Sequence, residues 1–325
     1  MPLIAIDAMG GDNAPHEIVE GALAARDRNV EIVLVGDEPT LRAVLGDRGE
    51  GVPIRHAGET IDMDDDPAHA IREKKDASVV VASRMVAAGE ADAMVSAGST
   101  GAAMACAAFL IGRLKGVSRP AVASFFPTGH VVMDMGANLE VKAEHLLQFA
   151  VMGTALSEVY NHTENPRVGL LNIGEEPTKG RDIEREAHKL LTSSDAINFI
   201  GNVEGRDLAT KNADVIVTDG FTGNVLLKTS EGAGKAIQNM IFEVLAAPEY
   251  EDLVPLLMPA FMKLRERLSP ESVGGAHLVG TKGVVVIAHG SSSRVAVTNA
   301  IVMADEGVRS GLVEKISDGI AAAAR

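Results

Sequence analysis

Short apolar runs alternate along this chain with longer segments in which apolar residues recur every three or four positions. The short runs predict ten β-strands, at residues 3–8, 30–35, 54–57, 92–96, 121–125, 131–134, 167–171, 197–200, 214–218 and 284–288. The longer segments predict helices at 15–28, 38–45, 77–88, 102–110, 142–160, 180–191, 223–245 and 293–310, with a helical tail after 320. Because the runs are apolar throughout, helices are expected on both faces of the sheet. The pattern therefore predicts an α/β fold with a mostly parallel, doubly wound sheet in a single domain spanning 1–325.

One segment, residues 246–270, departs from this alternation, because it has helical periodicity but no strand follows it. Its apolar stripe comprises Leu253, Leu256, Leu257, Phe261, Leu264 and Leu268. Pro255 and Pro259 are expected to break the segment into short helices. Such an amphipathic protrusion is either a subunit contact or a surface for lipid or acyl chains, and both interpretations stay open.

Composition excludes several classes of protein. Hydrophobic residues make up 46% of the 325, so the chain is expected to fold around a large core. There is no Trp, and the formal net charge is −15, which disfavours nucleic acid as a partner. The N-terminus shows no signal-peptide pattern, and no apolar run is long enough to span a membrane, so a cytoplasmic protein is expected. A single Cys excludes an intramolecular disulfide.

Polar, glycine-containing loops follow seven of the predicted strands. They lie at 7–13, 96–101, 134–138, 172–180, 201–207, 219–224 and 289–293. Because ligands bind at the carboxyl ends of parallel strands, these loops are predicted to form one cleft at one edge of the sheet. Its predicted lining comprises Asp7, Gly10, Gly11, Asp12, Asp134, Asn138, Asn172, Asn202 and Glu204.

The loop from Ser96 to Gly101 has the clearest chemistry, because it joins a strand end to a helix start. The first amides of a helix have no partner within the helix, and the helix dipole adds positive potential there. Hydroxyl donors and a glycine complete the pattern, so the loop is predicted to bind phosphate. The residues concerned are Ser96, Gly98, Ser99 and Thr100.

Other chemistries find little support in the sequence. Neither nucleotide-binding glycine fingerprint is present, and no nucleophile elbow surrounds Ser99, so no cofactor is expected. Cys106 lies in an Ala-rich helix and is expected to be buried and unreactive. The acidic run 62–66 is interpreted as a solvated loop rather than a metal site, with a divalent cation as the alternative.

In sequence and order, these loops resemble the bacterial phosphate acyltransferase (PlsX) family. The matching segments are 4–12, 96–102, 133–138, 169–176, 201–206, 214–225 and 289–291, and the match covers nearly the whole chain. Family members often carry Asn where Ser99 stands. The resemblance implies a fold like that of phosphotransacetylases and isocitrate/isopropylmalate dehydrogenases. It also implies reversible transfer of a long-chain fatty acyl group from acyl carrier protein to inorganic phosphate, giving acyl phosphate for phospholipid synthesis.

The resemblance further implies a homodimer, peripheral attachment to the cytoplasmic membrane face and a downstream membrane acyltransferase as partner. Lys179 and His289 are hypothesised to supply charge or a proton at the developing oxyanion, and Asp219 and Asn224 to orient donors in the cleft. Acidic carrier protein needs local positive charge. The candidate contacts are Arg113, Lys115 and Arg119 in one run, and Leu257, Phe261, Lys263, Leu264, Arg265 and Arg267 in the other.

Three rival functions remain open at this stage. A decarboxylating dehydrogenase on a related fold shares a His-Gly-Ser loop, but the residues after Ser291 do not continue that family's motif. A phosphotransacetylase acting on short acyl-CoA would share the phosphate site. The third is a phosphate-binding or membrane-scaffold protein without activity, which has less need of seven polar loops.

Overall fold

The computed structural model describes residues 1–210, 212–250 and 252–325, apart from the side chains of Arg267 and Pro270. The described strands form one eleven-stranded sheet in the order β3-β2-β1-β4-β11-β10-β5-β6-β9-β7-β8. They are β1 Leu3–Asp7, β2 Glu31–Gly36, β3 Ile54–His56, β4 Ala93–Ser96, β5 Ala121–Phe125, β6 Val131–Met133, β7 Arg167–Leu171, β8 Asn198–Val203, β9 Val215–Val217, β10 Ala276–Val279 and β11 Val284–Ile287. All ten predicted strands are present, and the mostly parallel α/β fold is confirmed.

Helices cover both faces of this sheet. They are α1 His16–Arg26, α2 Glu38–Leu45, α3 Pro67–Glu73, α4 Ser78–Ala87, α5 Thr100–Cys106, α6 Ala143–Tyr160, α7 Asp182–Ser193, α8 Gly220–Leu245, α9 Val254–Leu268, α10 Pro270–Val273, α11 Arg294–Arg309 and α12 Leu312–Ala323. Neighbouring residues of β1 show the two faces. Ala5 belongs to the core with α4 and α5, while Ile4 and Ile6 belong to the core with α1 and α11.

The sheet reverses direction in its middle, where β10 and β5 lie between two parallel halves. The pairings β11–β10, β10–β5 and β5–β6 are antiparallel, whereas β1, β2, β3, β4 and β11 run one way and β6, β7, β8 and β9 the other. The sequence pattern misses β10, a four-residue strand that contains His277. The pattern predicts β5 and β6 but not their antiparallel pairing, which reverses the direction between the two halves.

The segment 246–270 is more regular than expected. The prediction that Pro255 and Pro259 break it is wrong, because α9 continues through Pro259. Pro255 lies in the first turn, where its missing N–H has no partner to lose, and Pro259 forfeits only the bond to the Pro255 carbonyl. The Phe261 ring lies 6.1 Å from that of Phe242, so α9 packs beside the second half of α8. We call this pair, residues 232–268, the helical arm.

Candidate active site

The seven predicted loops do not share one edge of the sheet, because its two parallel halves run in opposite directions. The loops after β1, β4 and β11 leave one edge and form the first loop group. Those after β6, β7, β8 and β9 leave the opposite edge and form the second loop group. Among the described residues, no hydrogen bond or ion pair joins the site residues of the two groups. The prediction of one common cleft along one edge is therefore wrong.

In the first loop group, Asp7 and Ser96 end neighbouring strands and pair directly in the register of β1 and β4. The Ser96 hydroxyl donates to Asp7 Oδ2 at 2.6 Å and accepts the Gly98 N–H at 3.1 Å. Ser96 is only 1% exposed. Its hydroxyl is thus occupied within the protein, and its structural role is to hold Asp7 and the turn at Gly98.

Glycines bring the three loops of this group into backbone contact. A Cβ on Gly10 would lie 2.9 Å from the Gly98 backbone, and one on Gly11 would lie 3.2 Å from the Gly290 carbonyl oxygen. The Asp12 N–H donates to that same carbonyl at 2.8 Å. No larger residue fits these approaches, so glycine here serves loop packing.

The helix α5 begins at this junction. Ser99 is its N-cap, since the Ser99 hydroxyl accepts the Ala102 N–H at 3.4 Å. Thr100 is exposed in the first turn. The helix continues directly into a π-helical turn at Ala107–Ile111. The partly exposed Ser99, exposed Thr100 and the first-turn amides are the groups of this loop that face a ligand.

His289 is exposed at the end of β11. Its Nδ1 lies 2.8 Å from the Ser291 hydroxyl and accepts the Ser291 N–H at 3.3 Å. Because Nδ1 accepts a backbone proton, the neutral ring carries its own proton on Nε2. The exposed Nε2–H is therefore a hydrogen-bond donor at the rim of the first loop group.

The Asp7 carboxyl lines a narrow recess beside the start of α5. The recess is also lined by Gly10, Thr60, Ile61, Ser78, Val79, Ser96, Gly98, Ser99 and Ala102. Burial raises the pKa of Asp7, opposed in part by nearby hydroxyl and amide donors. Its second oxygen, Oδ1, is buried without a hydrogen-bond partner in the structure. Sequence reasoning missed Thr60, in the segment before α3, and Ser78, the first residue of α4, neither of which belongs to a distinctive motif.

In the second loop group, Asp134 is fully buried and organises its own loop. It accepts the N–H groups of Val122, Ala137 and Asn138 at 2.7 to 3.0 Å and the Asn138 amide at 2.8 Å. Burial raises the pKa of Asp134, while these donors oppose the rise. Asn138 in turn accepts the Gly220 N–H through its carbonyl oxygen at 2.8 Å. Both residues therefore join the loop to the start of α8.

Asp219 caps α8 by accepting the Thr222 N–H at 2.8 Å, and Arg181 donates to it at 2.6 Å. Burial disfavours the charged form of Asp219, but the Thr222 amide and the Arg181 guanidinium outweigh it and lower the pKa of this carboxyl. Arg181 also donates to Glu184 in the first turn of α7. Sequence reasoning missed Arg181, although a Glu three residues after a helix start was a signal.

The remaining residues of the second loop group differ in their exposure and in their hydrogen bonds and ion pairs. Lys179 is exposed, and its ammonium forms no ion pair within the described chain. Asn172 donates to the Lys179 carbonyl oxygen at 3.2 Å, and Asn202 donates to that of Glu176 at 2.8 Å. Glu204 pairs with Arg206 at 2.6 Å. Asn224 is exposed on α8, beside Gly136.

The helical arm returns to the edge that carries the first loop group. Ala276 of β10 pairs with Ile287 at the end of β11, and Asn299 of α11 donates to the Glu271 carbonyl oxygen at 3.0 Å. Lys263, Leu264 and Arg265 are exposed, whereas Leu257 and Phe261 are partly covered. The predicted contact at Arg267 falls on a side chain outside the described part of the structure.

Two further expectations concern reactivity and metals. Cys106 is buried, and burial raises the pKa of its thiol to about 12, so an unreactive cysteine is confirmed. Among the described residues, no cluster of His, Cys, Asp and Glu has the arrangement of a metal site. A membrane span is likewise absent from the described helices, none of which combines the length and apolarity it requires.

Comparison with known proteins gives a consistent result. The family model described as "Fatty acid synthesis protein" matches residues 3–315. A "Phosphate acyltransferase" of Desulfitobacterium hafniense is 46% identical over 321 residues, covering 96% of each chain. Another, from Pelotomaculum thermopropionicum, is 48% identical over 324 residues, covering 98% of this chain and 94% of that protein.

Solved structures with a similar fold are more distant in sequence. A phosphotransacetylase from Streptococcus pyogenes has a TM-score of 0.62 at 18% identity, covering 96% of this chain and 94% of that one. A putative 4-hydroxythreonine-4-phosphate dehydrogenase from Salmonella typhimurium has a TM-score of 0.55 at 13% identity, covering 94% and 99%. These likenesses agree with the fold that the sequence predicts.

Proposed function

Because this chain belongs to the phosphate acyltransferase family, we propose that it transfers a long-chain fatty acyl group from acyl carrier protein to inorganic phosphate. The acyl phosphate formed would enter phospholipid synthesis. The observation that carries the site assignment is the first loop group, where Ser99, Thr100 and the first-turn amides of α5 follow β4 and His289 follows the neighbouring strand β11.

Phosphate is assigned to the start of α5. Ser99 and Thr100 supply hydroxyls, and the first-turn amides and helix dipole favour an anion. Gly98 lets the chain turn against Gly10, and Ser96 holds that turn from within rather than touching the ligand. The reaction then consists of attack by a phosphate oxygen on the thioester carbon, followed by departure of the thiolate from the tetrahedral intermediate.

His289 is assigned to the developing oxyanion. Its Nε2–H is oriented as a donor because Nδ1 accepts from Ser291, so it can present a hydrogen bond to the oxyanion. Removal of a single oxyanion donor typically costs about a hundredfold or more in turnover.

The second loop group is given a different role from the one the sequence indicated. The two loop groups leave opposite edges of the sheet, so Lys179, Asp219 and Asn224 are assigned to a different part of the donor from the carbonyl at the start of α5. A long acyl thioester can reach both edges, and Lys179 carries an ammonium free of described acidic partners. Lys179 is therefore assigned to a distal part of the donor, with Asp219, Asp134 and Asn138 supporting the loops.

The helical arm is assigned to the carrier and its acyl chain. Lys263 and Arg265 are exposed beside exposed apolar side chains such as Leu256 and Leu264, and the arm ends near the first loop group. Positive charge next to an apolar surface suits an acidic carrier bearing a fatty chain. A homodimer contact and peripheral attachment to the cytoplasmic membrane surface, next to a downstream membrane acyltransferase, are proposed for the same arm.

One assay tests this function. The protein is incubated with palmitoyl carrier protein and phosphate, and acyl phosphate is trapped with hydroxylamine as the hydroxamate. Acetyl-CoA and nicotinamide cofactors serve as parallel substrates for the rival functions. Hydroxamate that depends on both carrier and phosphate supports the proposal, whereas product from acetyl-CoA alone, or none, contradicts it.

A further inference from the structure

The proposed reaction leaves the Asp7 carboxyl of the first loop group unused. It is 2% exposed, and Ser96 occupies Oδ2 at 2.6 Å. Oδ1 is buried with no hydrogen-bond partner, in the recess that Ser99 and Ala102 of the α5 start also line. A buried carboxyl oxygen left unsatisfied costs about 1–3 kcal/mol or more, so it calls for a partner.

The position of this oxygen creates an electrostatic conflict with the phosphate site. A phosphate held at the first turn of α5 lies beside a carboxyl in a setting of low dielectric, where two negative charges repel strongly. Among the described residues, no Lys or Arg side chain lines the recess to offset them. A single proton between the two oxygens replaces their direct repulsion with a hydrogen bond and satisfies Oδ1 at once.

Inorganic phosphate brings such a proton, since it retains at least one P–OH group throughout the neutral pH range. Resting on the function proposed above, we propose that Asp7 selects phosphate by accepting a hydrogen bond from that P–OH through Oδ1. A fully deprotonated tetrahedral anion such as sulfate has no proton to offer and meets the carboxyl with repulsion. Asp7 is thereby a specificity-determining residue of the anion site.

Two features of the recess fit this assignment. Burial raises the pKa of Asp7, which favours a carboxyl that has a proton donor as its partner. Thr60 and Ile61, in the segment between β3 and α3, form the other wall of the narrow recess.

The test measures anion preference directly, by isothermal titration of the full chain with phosphate, arsenate, sulfate and monofluorophosphate at pH 7.5. Arsenate carries a proton as phosphate does, whereas sulfate and monofluorophosphate carry none. The variant is Asp7→Asn, whose amide can donate to a proton-free oxyanion. The matched control is Asp305→Asn, because Asp305 is also buried with an unpartnered Oδ1 but lies on α11, outside the recess.

The wild type is expected to bind phosphate and arsenate about tenfold to a hundredfold more tightly than the two proton-free anions, the range of a charge-assisted hydrogen bond. Asp7→Asn abolishes or inverts this preference, and Asp305→Asn keeps it. Equal wild-type affinity for all four anions overturns the inference, and this measurement needs no variant to fold. An unchanged preference in a folded Asp7→Asn protein also overturns it.

The trapping assay separates this inference from the proposed function. If the wild type makes acyl phosphate but binds sulfate as tightly as phosphate, the proposed function stands and the role of Asp7 is refuted. If the wild type discriminates between the anions but makes no acyl phosphate, the role of Asp7 stands and the proposed function is refuted.

Discussion

Two glycines of α8 make a matched pair that tests the junction of the second loop group. A Cβ built on Gly223 would lie 1.9 Å from the Asp134 carbonyl oxygen, whereas one on Gly232 meets nothing within 4 Å. Both residues lie inside the same helix, so Gly→Ala brings the same gain in helix propensity, about 1 kcal/mol, at each. The difference in stability between the two variants therefore reports the effect of the close approach at Gly223 alone.

The expected magnitudes have opposite signs. Gly232→Ala should raise the free energy of unfolding by about 0.5–1 kcal/mol. Gly223→Ala must move backbone, because the obstructing atom belongs to the loop that Asp134 ties down with five hydrogen bonds. Overpacking of this kind costs about 1–3 kcal/mol or more, so a net loss of about 2 kcal/mol is expected after the propensity gain.

Urea unfolding of both variants, followed by circular dichroism, measures the difference directly. A gap of about 3 kcal/mol between them is expected from the two values above. If Gly223→Ala proves as stable as Gly232→Ala, the contact between α8 and the Asp134 loop is refuted. The Gly232 result also bears on the proposed dimer. A loss of stability that depends on protein concentration would place a second copy against this face of α8.

Three further predictions concern the site and the core. Ser99→Ala should raise the KM for phosphate about tenfold in steady-state assays, because it removes both a ligand hydroxyl and the α5 cap. Ser99→Asn keeps the cap, so its KM for phosphate should stay close to that of the wild type. Lys179→Ala should raise the KM for acyl carrier severalfold and leave that for phosphate unchanged, since an exposed cation contributes modestly and only to the donor; a shift in phosphate KM alone would contradict the assignment. Burial lowers the pKa of His277 to about 3, so below about pH 6.5 the unfolded chain binds a proton that the folded chain does not. The free energy of unfolding should therefore fall with decreasing pH, by at most about 1.4 kcal/mol per pH unit. His277→Phe, beside Tyr160, should reduce this pH dependence in urea titrations at pH 5 and 7.

The sequence predicted the elements of this fold well, because periodicity reports which face of each segment is buried. The β1 and β4 runs were apolar throughout, and both prove to be covered on two faces. Periodicity does not predict the direction of a strand, because an apolar run of four residues shows the same pattern in both directions. The reversal is fixed by the antiparallel pairing of β5 with β6, because β10 is antiparallel to both β11 and β5 and leaves those two strands running the same way.

The same limit explains the errors at the site. The loop motifs identified the family because their residues are distinctive, but the geometry inferred from them assumed one sheet direction. Ser96 was expected to touch phosphate because it is a hydroxyl at a strand end. The register of β1 and β4 instead sets it beside Asp7, which no local pattern reveals across 89 residues of sequence. Sequence motifs do not show which side chains the register of two strands places side by side.

The buried pairing of Ser96 with Asp7 also bears on the route of acyl transfer. A Ser next to a carboxyl resembles an activated nucleophile, but the Ser96 hydroxyl already donates to Asp7 and accepts the Gly98 N–H, so its oxygen is engaged within the protein. Cys106 is equally unsuited, since burial holds its thiol protonated. Phosphate itself is a competent nucleophile near neutral pH, so the exposed donors at the α5 start need only position it while His289 faces the developing oxyanion. Direct attack without an acyl-enzyme is therefore the route that these residues favour.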